Sequence, residues 1–173
     1  KSKSLFFSNP LLSFVDIFEG NIPEEVIKAR KNLNYRNHIS VHIAVDKKLF
    51  DDNWIYIHSP EIKMARISDF TNFSQHMSTE GEYPLTLEYF CFENEHIWNQ
   101  NDEFIINLGI KELKKIFKVD FNVIHSAVSK NSKAYPVIKT GYEVSISTIK
   151  DWIKKQDNLV PIGRSGMFKY NNQ

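Results

Sequence analysis

The sequence predicts an α+β fold with a mainly antiparallel mixed sheet of about five to six strands and about three main helices. Segments that alternate apolar and polar residues have the two-residue period of half-buried strands. Strand-like segments are grouped and helical patterns are interspersed between them. Only 6 glycines and 6 prolines among 173 residues argue against a repeat or a loop-rich architecture. No linker divides the chain, so residues 1–173 are predicted to form a single domain.

The first half of the chain is predicted to contain an apolar strand, two helical segments and four further strands. Leu5 to Phe7 suits a buried strand, and Leu11 to Phe18 suits a short apolar helical turn. Asn21 is predicted as the N-cap of a helix that runs to about Leu33, with Pro23 in its first turn. The predicted strands resemble an antiparallel meander and comprise Tyr35 to Asp46, Trp54 to His58, Arg66 to Phe70 and Pro84 to Phe92.

The second half is predicted to contain two helices and two strands. One helix begins at Asn101, because acids occupy its first turn and lysines lie near its end, which matches the helix dipole. A third main helix is predicted from Tyr142 to Lys155, with Ile149, Trp152 and Ile153 facing inward. The two predicted strands are Phe121 to Ser129 and a final buried strand from Leu159 to Ile162.

Composition and charge exclude several classes of partner. The 22 lysines and arginines nearly balance the 21 aspartates and glutamates, which leaves a formal charge of +1 and no electrostatic case for nucleic acid or an anionic membrane. No apolar run is long enough to span a bilayer. Cys91 is the single cysteine, so no internal disulfide is possible and a cytoplasmic location is predicted.

Histidines do not form a metal-binding pattern. His38 and His42 lie in a strand pattern, where four residues span roughly 13 Å, so they cannot share an ion. The other histidines have no cysteine or carboxylate at ligand spacing. The sequence therefore predicts no metal site, and no residue is assigned a catalytic role.

The segment after the final strand is a candidate site. Gly163 and Gly166 allow a sharp turn that exposes backbone N–H groups, and Arg164 adds a fixed cation. A turn at the carboxyl end of a strand is where open α/β folds bind anionic ligands. The alternative is a tight loop that only closes a sheet.

Two charged residues are a second candidate site. Arg66 and Glu88 each lie within an apolar strand pattern, where a charge needs a partner or a ligand. Either the two side chains pair with each other, or Arg66 meets an anionic group of a substrate or cofactor.

Three short segments carry a resemblance to a known family. They are Gly163-Arg164-x-Gly166-x-Phe168-x-Tyr170-Asn171-Asn172, Arg66-Ile-Ser-Asp-Phe-Thr-Asn-Phe-Ser74 and Ala134-Tyr-Pro-Val137. Together they resemble the FAD-dependent amine oxidase superfamily, in its protoporphyrinogen oxidase-like and UDP-galactopyranose mutase-like branch. Asp69 is a departure, because that branch has asparagine there.

The resemblance implies an FAD-contacting segment at 159–173 and a substrate cavity formed by the rest of the chain. A small-molecule substrate is expected at Arg66, Glu88 and Tyr135, although Tyr135-Pro136 is equally well explained as a strand end. The resemblance implies that FAD is contacted by Gly163, Arg164, Gly166, Phe168, Tyr170, Asn171 and Asn172.

The family's Gly-x-Gly-x-x-Gly turn is absent from the sequence, and the family's helix after the last segment would lie beyond Gln173. The chain is therefore predicted to be a substrate-binding fragment that is inactive alone, with the missing FAD-binding part of the same protein as its partner. Two alternatives stay open. One is a non-catalytic binding or assembly module, and the other is part of a flavin-dependent, non-redox sugar mutase.

Overall fold

We describe the protein from a computed structural model, in which residues 3–170 are described. Its contacts group into two compact units. The first unit combines residues 1–36 with residues 133–173, and the second unit comprises residues 37–132. The assignment of residues 1–173 to a single domain stays a prediction.

The elements confirm the α+β class and lie close to the predicted positions, although β6 extends well past the predicted end at Ser129. The strands are β1 (Leu5–Phe7), β2 (Tyr35–Val45), β3 (Trp54–Tyr56), β4 (Arg66–Asp69), β5 (Tyr83–Cys91), β6 (Val123–Pro136) and β7 (Leu159–Pro161). The α-helices are α1 (Leu11–Ile17), α2 (Glu24–Lys31), α3 (Asp102–Phe117), α4 (Tyr142–Lys154) and α5 (Gly163–Gly166). Short 3₁₀ helices lie at Phe70–Asn72, Gln75–Met77 and His96–Asn99.

The larger sheet has five strands in the order β3-β4-β5-β2-β6. Strands β3, β4 and β5 pair antiparallel in sequence order, and β2 pairs antiparallel with β5. The predicted meander is wrong for β2, because this strand lies between β5 and β6 and not beside β3. Strand β2 thus pairs with strands that are distant in sequence. The apolar–polar alternation within one strand does not predict which strand will be its neighbour.

One face of this sheet packs on α3. The alternation predicted for β2 is confirmed, since Ile39, Val41 and Ile43 are almost fully buried. Gly109 allows the close approach of the helix, because a Cβ atom there would lie 2.7 Å from Cδ1 of Leu87. Buried residues from β2, β5 and α3 therefore form the core of the second unit.

Helix α3 begins at Asp102, one residue after the predicted start, and Asn101 is its N-cap. The Asn101 side chain accepts a hydrogen bond from the Phe104 N–H at 2.9 Å, which satisfies one of the free donors of the first turn. The buried Glu112 carboxylate fixes the chain before β4, since it accepts from the N–H groups of Lys63 and Met64 at 2.6 and 3.1 Å. It also accepts from the Tyr89 hydroxyl at 3.0 Å.

Helix α2 does not use the predicted cap. Pro23 occupies the N-cap position, and no side chain caps this helix. The Pro23 carbonyl accepts hydrogen bonds from the N–H groups of Val26 and Ile27 at 3.0 and 3.2 Å. The proline is extended, with ψ of 146°, so the helix starts after it and Asn21 lies outside the first turn. The predicted N-cap at Asn21 is therefore wrong.

The first unit contains a two-stranded parallel sheet of β1 and β7, with Leu5 opposite Leu159. Both strands were expected to be buried, but Phe6 is 63% exposed and Val160 is 39% exposed. The expectation is confirmed for Phe7, which is buried in the core of this unit, and is wrong for Phe6 and Val160, because that core is built mainly from α1, α2 and α4. Ile149, Trp152 and Ile153 are buried in that core, as predicted.

Candidate functional site

The second face of the five-stranded sheet carries a row of polar side chains. In the strand register, Arg66 of β4 lies between Tyr56 of β3 and Glu88 of β5, and Glu88 lies opposite Ser40 of β2. Side chains on a strand alternate between faces, so this row points away from Ile39 and the face that packs on α3.

Arg66 and Glu88 form a bidentate ion pair. Arg66 donates from Nε to Oε2 of Glu88 and from Nη2 to Oε1, the latter at 2.7 Å. His38 Nε2 also lies 3.0 Å from Oε1, and it donates because an ionised carboxylate only accepts. Arg66 Nη1 donates to the Tyr56 hydroxyl at 3.3 Å. The pairing that the sequence left open as one alternative is thus present.

The pair is charged on both sides but neutral overall. Burial alone raises the pKa of Glu88, whereas the hydrogen bonds and charges of His38 and Arg66 outweigh burial and lower it to about 2. The same carboxylate raises the pKa of Arg66. Both groups are therefore ionised across the physiological range.

A cavity of about 290 Å³ adjoins this pair. The ion pair forms one wall of the cavity, and aromatic side chains form another. The rings of Trp54 and Phe73 in this aromatic wall are 6.0 Å apart, with an angle of 19° between their planes. Both side chains are about half exposed. The cavity is lined by Trp54, Arg66, Ser68, Phe70, Phe73, Thr86 and Glu88.

Asp69 lies in the same segment as Arg66 but has a different environment. Its side chain is fully buried, and Oδ1 accepts from the N–H and hydroxyl of Thr71 at 2.9 and 2.6 Å. These bonds cap the 3₁₀ helix that follows β4. Asp69, which departs from the sequence pattern that this segment resembles, therefore caps this helix.

A second group of predicted residues lies at the turn between β7 and α5. Gly163 has φ of +70°, and a Cβ atom there would have no neighbour within 4 Å. The Arg164 guanidinium contacts two neighbouring rings, 4.4 Å from the centroid of Tyr135 and 4.8 Å from that of Tyr170, and the two centroids are 5.7 Å apart. Its Nε and Nη2 atoms are buried and have no hydrogen-bond partner among residues 3–170. The fold thus brings Tyr135, near the end of β6, to the predicted flavin segment.

Two other residues of this segment have packing roles. A Cβ atom on Gly166 would lie 2.7 Å from the carbonyl oxygen of Phe7, so glycine permits contact with β1. Phe168 is 2% exposed, and its ring lies 5.0 Å from that of Tyr35. The Tyr35 hydroxyl donates to the Ser165 carbonyl at 3.2 Å, and burial raises its pKa to about 12. Contacts of Gly166 and Phe168 with a flavin stay predictions.

Asn171 and Asn172 lie outside the described residues. The pair Arg66–Glu88 belongs to the second unit, whereas the turn at Gly163 belongs to the first.

Within residues 3–170, no cluster of three or more His, Cys, Asp or Glu side chains could hold a metal ion. None of the described helices has both the length and the apolar content needed to cross a membrane.

Sequence reasoning missed the aromatic wall and the buried Glu112. Trp54 belongs to a short strand and Phe73 to a turn, and neither sequence pattern predicts that the two rings meet. A signal for Glu112 was present, because it shares a helix face with Ile105, Gly109 and Leu113. A lone carboxylate on an apolar helix face requires hydrogen-bond donors.

These elements define an α+β fold that is shared with part of several larger enzymes. No protein-family model matches the chain, and no curated protein matches it. Among solved structures, reduced UDP-galactopyranose mutase matches 97% of this chain and 37% of its own, with a TM-score of 0.80 and 17% identity.

Two further structures agree with this match. A protoporphyrinogen oxidase-like protein from Exiguobacterium sp. 255-15 matches 91% of this chain and 35% of its own, with a TM-score of 0.72 and 14% identity. An oxidoreductase from Methanosarcina mazei matches 75% of this chain and 31% of its own, with a TM-score of 0.56 and 15% identity. The chain spans about a third of these proteins, and the predicted resemblance is confirmed at the level of the fold.

Proposed function

We propose that this chain is the substrate-binding portion of a FAD-dependent oxidoreductase of the amine oxidase type. The observation that carries the proposal is the second face of the sheet, where the Arg66–Glu88 pair adjoins a cavity of about 290 Å³. The other face of the sheet is occupied by α3, so this side is the one available to a small-molecule substrate. The fold match to an oxidoreductase and a mutase supports the same assignment.

In this proposal Arg66 and Glu88 contact the substrate through their paired side chains, and Tyr135 is proposed as a further substrate-binding residue. No side chain of this chain is assigned a catalytic step. FAD, when bound, supplies the electron transfer. The role of this chain is then to bind the substrate and orient it.

The residues at the β7–α5 turn fit an anionic part of FAD, such as its pyrophosphate. The open space at Gly163 would let a ligand approach the backbone. The two guanidinium nitrogens of Arg164 without partners among residues 3–170 would gain acceptors from phosphate oxygens. Tyr170, Asn171 and Asn172 follow directly and are proposed as further flavin contacts, together with Gly166 and Phe168.

The remaining two thirds of the matched proteins would correspond to the FAD-binding part, which we propose as the partner of this chain. The chain alone is expected to be inactive and to bind FAD weakly, since the Gly-x-Gly-x-x-Gly turn that receives the pyrophosphate is absent from its sequence. The single cysteine, Cys91, is buried, which supports a cytoplasmic location.

The flavin role is tested by comparing two glycines in the full-length protein. Gly163 and Gly81 have φ of +70° and +81°, and neither has an atom within 4 Å of a Cβ position. Replacement by valine therefore imposes a similar backbone strain at both, about 1 to 3 kcal/mol. Gly163→Val is expected to lose bound FAD, whereas Gly81→Val keeps it, as measured by flavin absorbance per folded protein. Full flavin occupancy in folded Gly163→Val rejects the role of the turn.

The isolated chain provides an independent check. Mixing it with FAD should give no tight complex in a fluorescence titration. A submicromolar, yellow complex would contradict the proposal that another part of the protein holds most of the cofactor.

A second candidate function is a flavin-dependent sugar mutase without net oxidation. It is favoured by the TM-score of 0.80 with UDP-galactopyranose mutase. Anaerobic mixing of the full-length protein with candidate substrates separates the two functions. An oxidoreductase substrate bleaches the oxidised flavin, whereas a mutase substrate leaves its absorbance unchanged.

A further inference from the structure

We propose that the cavity beside Trp54 binds an uncharged planar ring that carries hydrogen-bonding groups. This inference rests on the proposed substrate-binding function, because it names the chemical class of ligand for the same cavity. It differs from the simplest expectation for an arginine-containing site, which is an anionic ligand.

The aromatic wall provides a stacking surface. Trp54 and Phe73 are 47% and 48% exposed, and their rings are nearly parallel. Phe70 extends the wall, since its ring lies 6.0 Å from that of Phe73. Large aromatic side chains that are partly exposed around one cavity are a feature of ligand sites, because a ligand ring that stacks on them gains more than the burial of its apolar area alone.

The polar wall is neutral overall. Among residues 3–170, Arg66 and Glu88 are the only ionised residues that line the cavity, and each neutralises the other through two hydrogen bonds. An anion at the outer N–H groups of Arg66 would meet a cation that Glu88 already neutralises. An anion that displaced Glu88 would leave that carboxylate buried with His38 as its remaining side-chain donor. A neutral group avoids this cost, because it can bond to the hydroxyls of Ser68 and Thr86 or to outer atoms of the pair.

The dimensions limit the ligand to a small one. Sites for drug-sized molecules have volumes of roughly 300 to 1,000 Å³, and this cavity, at about 290 Å³, lies at the lower end. One ring, or two fused rings, with a short polar group would fill it.

The test measures the binding of three small probes of matched size to the 173-residue chain by ligand-observed NMR titration. They are 4-hydroxybenzamide, which is uncharged, 4-hydroxybenzoate, which carries a carboxylate on the same ring, and trans-1,4-cyclohexanediol, which has no aromatic face. The amide is expected to bind at least tenfold more tightly than either of the others. Trp54→Ala should weaken amide binding at least tenfold, whereas Trp54→Phe should keep most of it.

Phe104→Ala is the matched control, because Phe104 is 43% exposed in the same unit but does not line the cavity. Its affinity for the amide should equal that of the unchanged chain, and thermal melting confirms that each variant is folded. Equal or tighter binding of the benzoate overturns the neutral-ligand inference. Equal binding of the diol, or no binding of any probe, overturns the stacking site.

Failure here is distinguishable from failure of the proposed function. If no probe binds but Gly163→Val still loses FAD in the full-length protein, the ring-binding site is rejected and the flavin role of the turn stands. If the amide binds while Gly163→Val keeps FAD, the cavity is a ring-binding site and the flavin role of the turn is rejected.

Discussion

Replacement of Arg66 by alanine should destabilise the protein strongly. The variant leaves the Glu88 carboxylate, which is 8% exposed, with His38 as its remaining side-chain donor. A buried charge that loses its partner costs about 3 to 5 kcal/mol. Arg66 is itself 30% exposed, so solvent replaces part of the lost interaction and the lower end of that range applies.

The lowered pKa of Glu88 makes this loss depend on pH. Its pKa falls from 4.5 to about 2 in the folded protein because His38 and Arg66 together favour the ionised carboxylate, which corresponds to about 3 kcal/mol in all at 1.36 kcal/mol per pKa unit, of which Arg66 contributes a part. Because the folded pKa is lowered, this stabilisation is fully present above pH 4.5 and is lost as the pH falls towards 2. The difference between the unchanged protein and Arg66→Ala should therefore shrink over that interval.

The assay measures the free energy of unfolding in urea, with circular dichroism as the signal, at pH 7 and at several acidic pH values. A loss of about 3 kcal/mol at pH 7 corresponds to a decrease in Tm of about 6 to 12 °C for a chain of this size. Lys115→Ala is the control, because it breaks the exposed ion pair with Glu61 and should leave the unfolding free energy almost unchanged. Equal stability of the two variants, or a loss for Arg66→Ala that does not depend on pH, would refute the reasoning.

Three further substitutions test the packing described above. Gly166→Ala should destabilise by about 1 to 3 kcal/mol, because its Cβ atom meets the Phe7 carbonyl at 2.7 Å, and unchanged thermal melting would contradict that close contact. Glu112→Gln should cost about 1 to 3 kcal/mol in urea unfolding, because an amide cannot accept all three hydrogen bonds, including that from Tyr89; a neutral result would mean that the loop relaxes. Asn101→Ala should cost about 1 kcal/mol by loss of the helix cap, whereas Asn101→Ser should restore most of it in the same assay.

The parts of the fold that could be predicted from sequence are those set by local physics. The alternation in β2 was predictable because one face of that strand is buried, and the cap at Asn101 was predictable because its side chain bonds within its own turn. The position of β2 between β5 and β6 was not predictable in this way, since it depends on contacts between distant segments. The hydrophobicity of Phe6 and Val160 predicted burial, but both are partly exposed. Hydrophobicity alone does not say whether other elements cover both faces of a strand.

The candidate site was predictable in composition and less so in geometry. Arg66 and Glu88 stood out as charges in apolar strands, and the strand register places them opposite each other. The meeting of Arg164 with Tyr135 was not predictable from spacing, because β6 had been expected to end at Ser129. The aromatic pair of Trp54 and Phe73 forms only after β3 and the turn following β4 come together in space.

The arrangement of the two units imposes an order on folding during synthesis. Residues 37–132 form a continuous segment, whereas β1 pairs with β7 through a register that joins Leu5 to Leu159. The ribosome therefore releases the whole second unit before β7 exists, and domains that emerge early can fold as they appear. Closure of the long loop between β1 and β7 costs less entropy if the intervening segment is already compact. Strand β1 can therefore pair with β7 only after the whole second unit has been made.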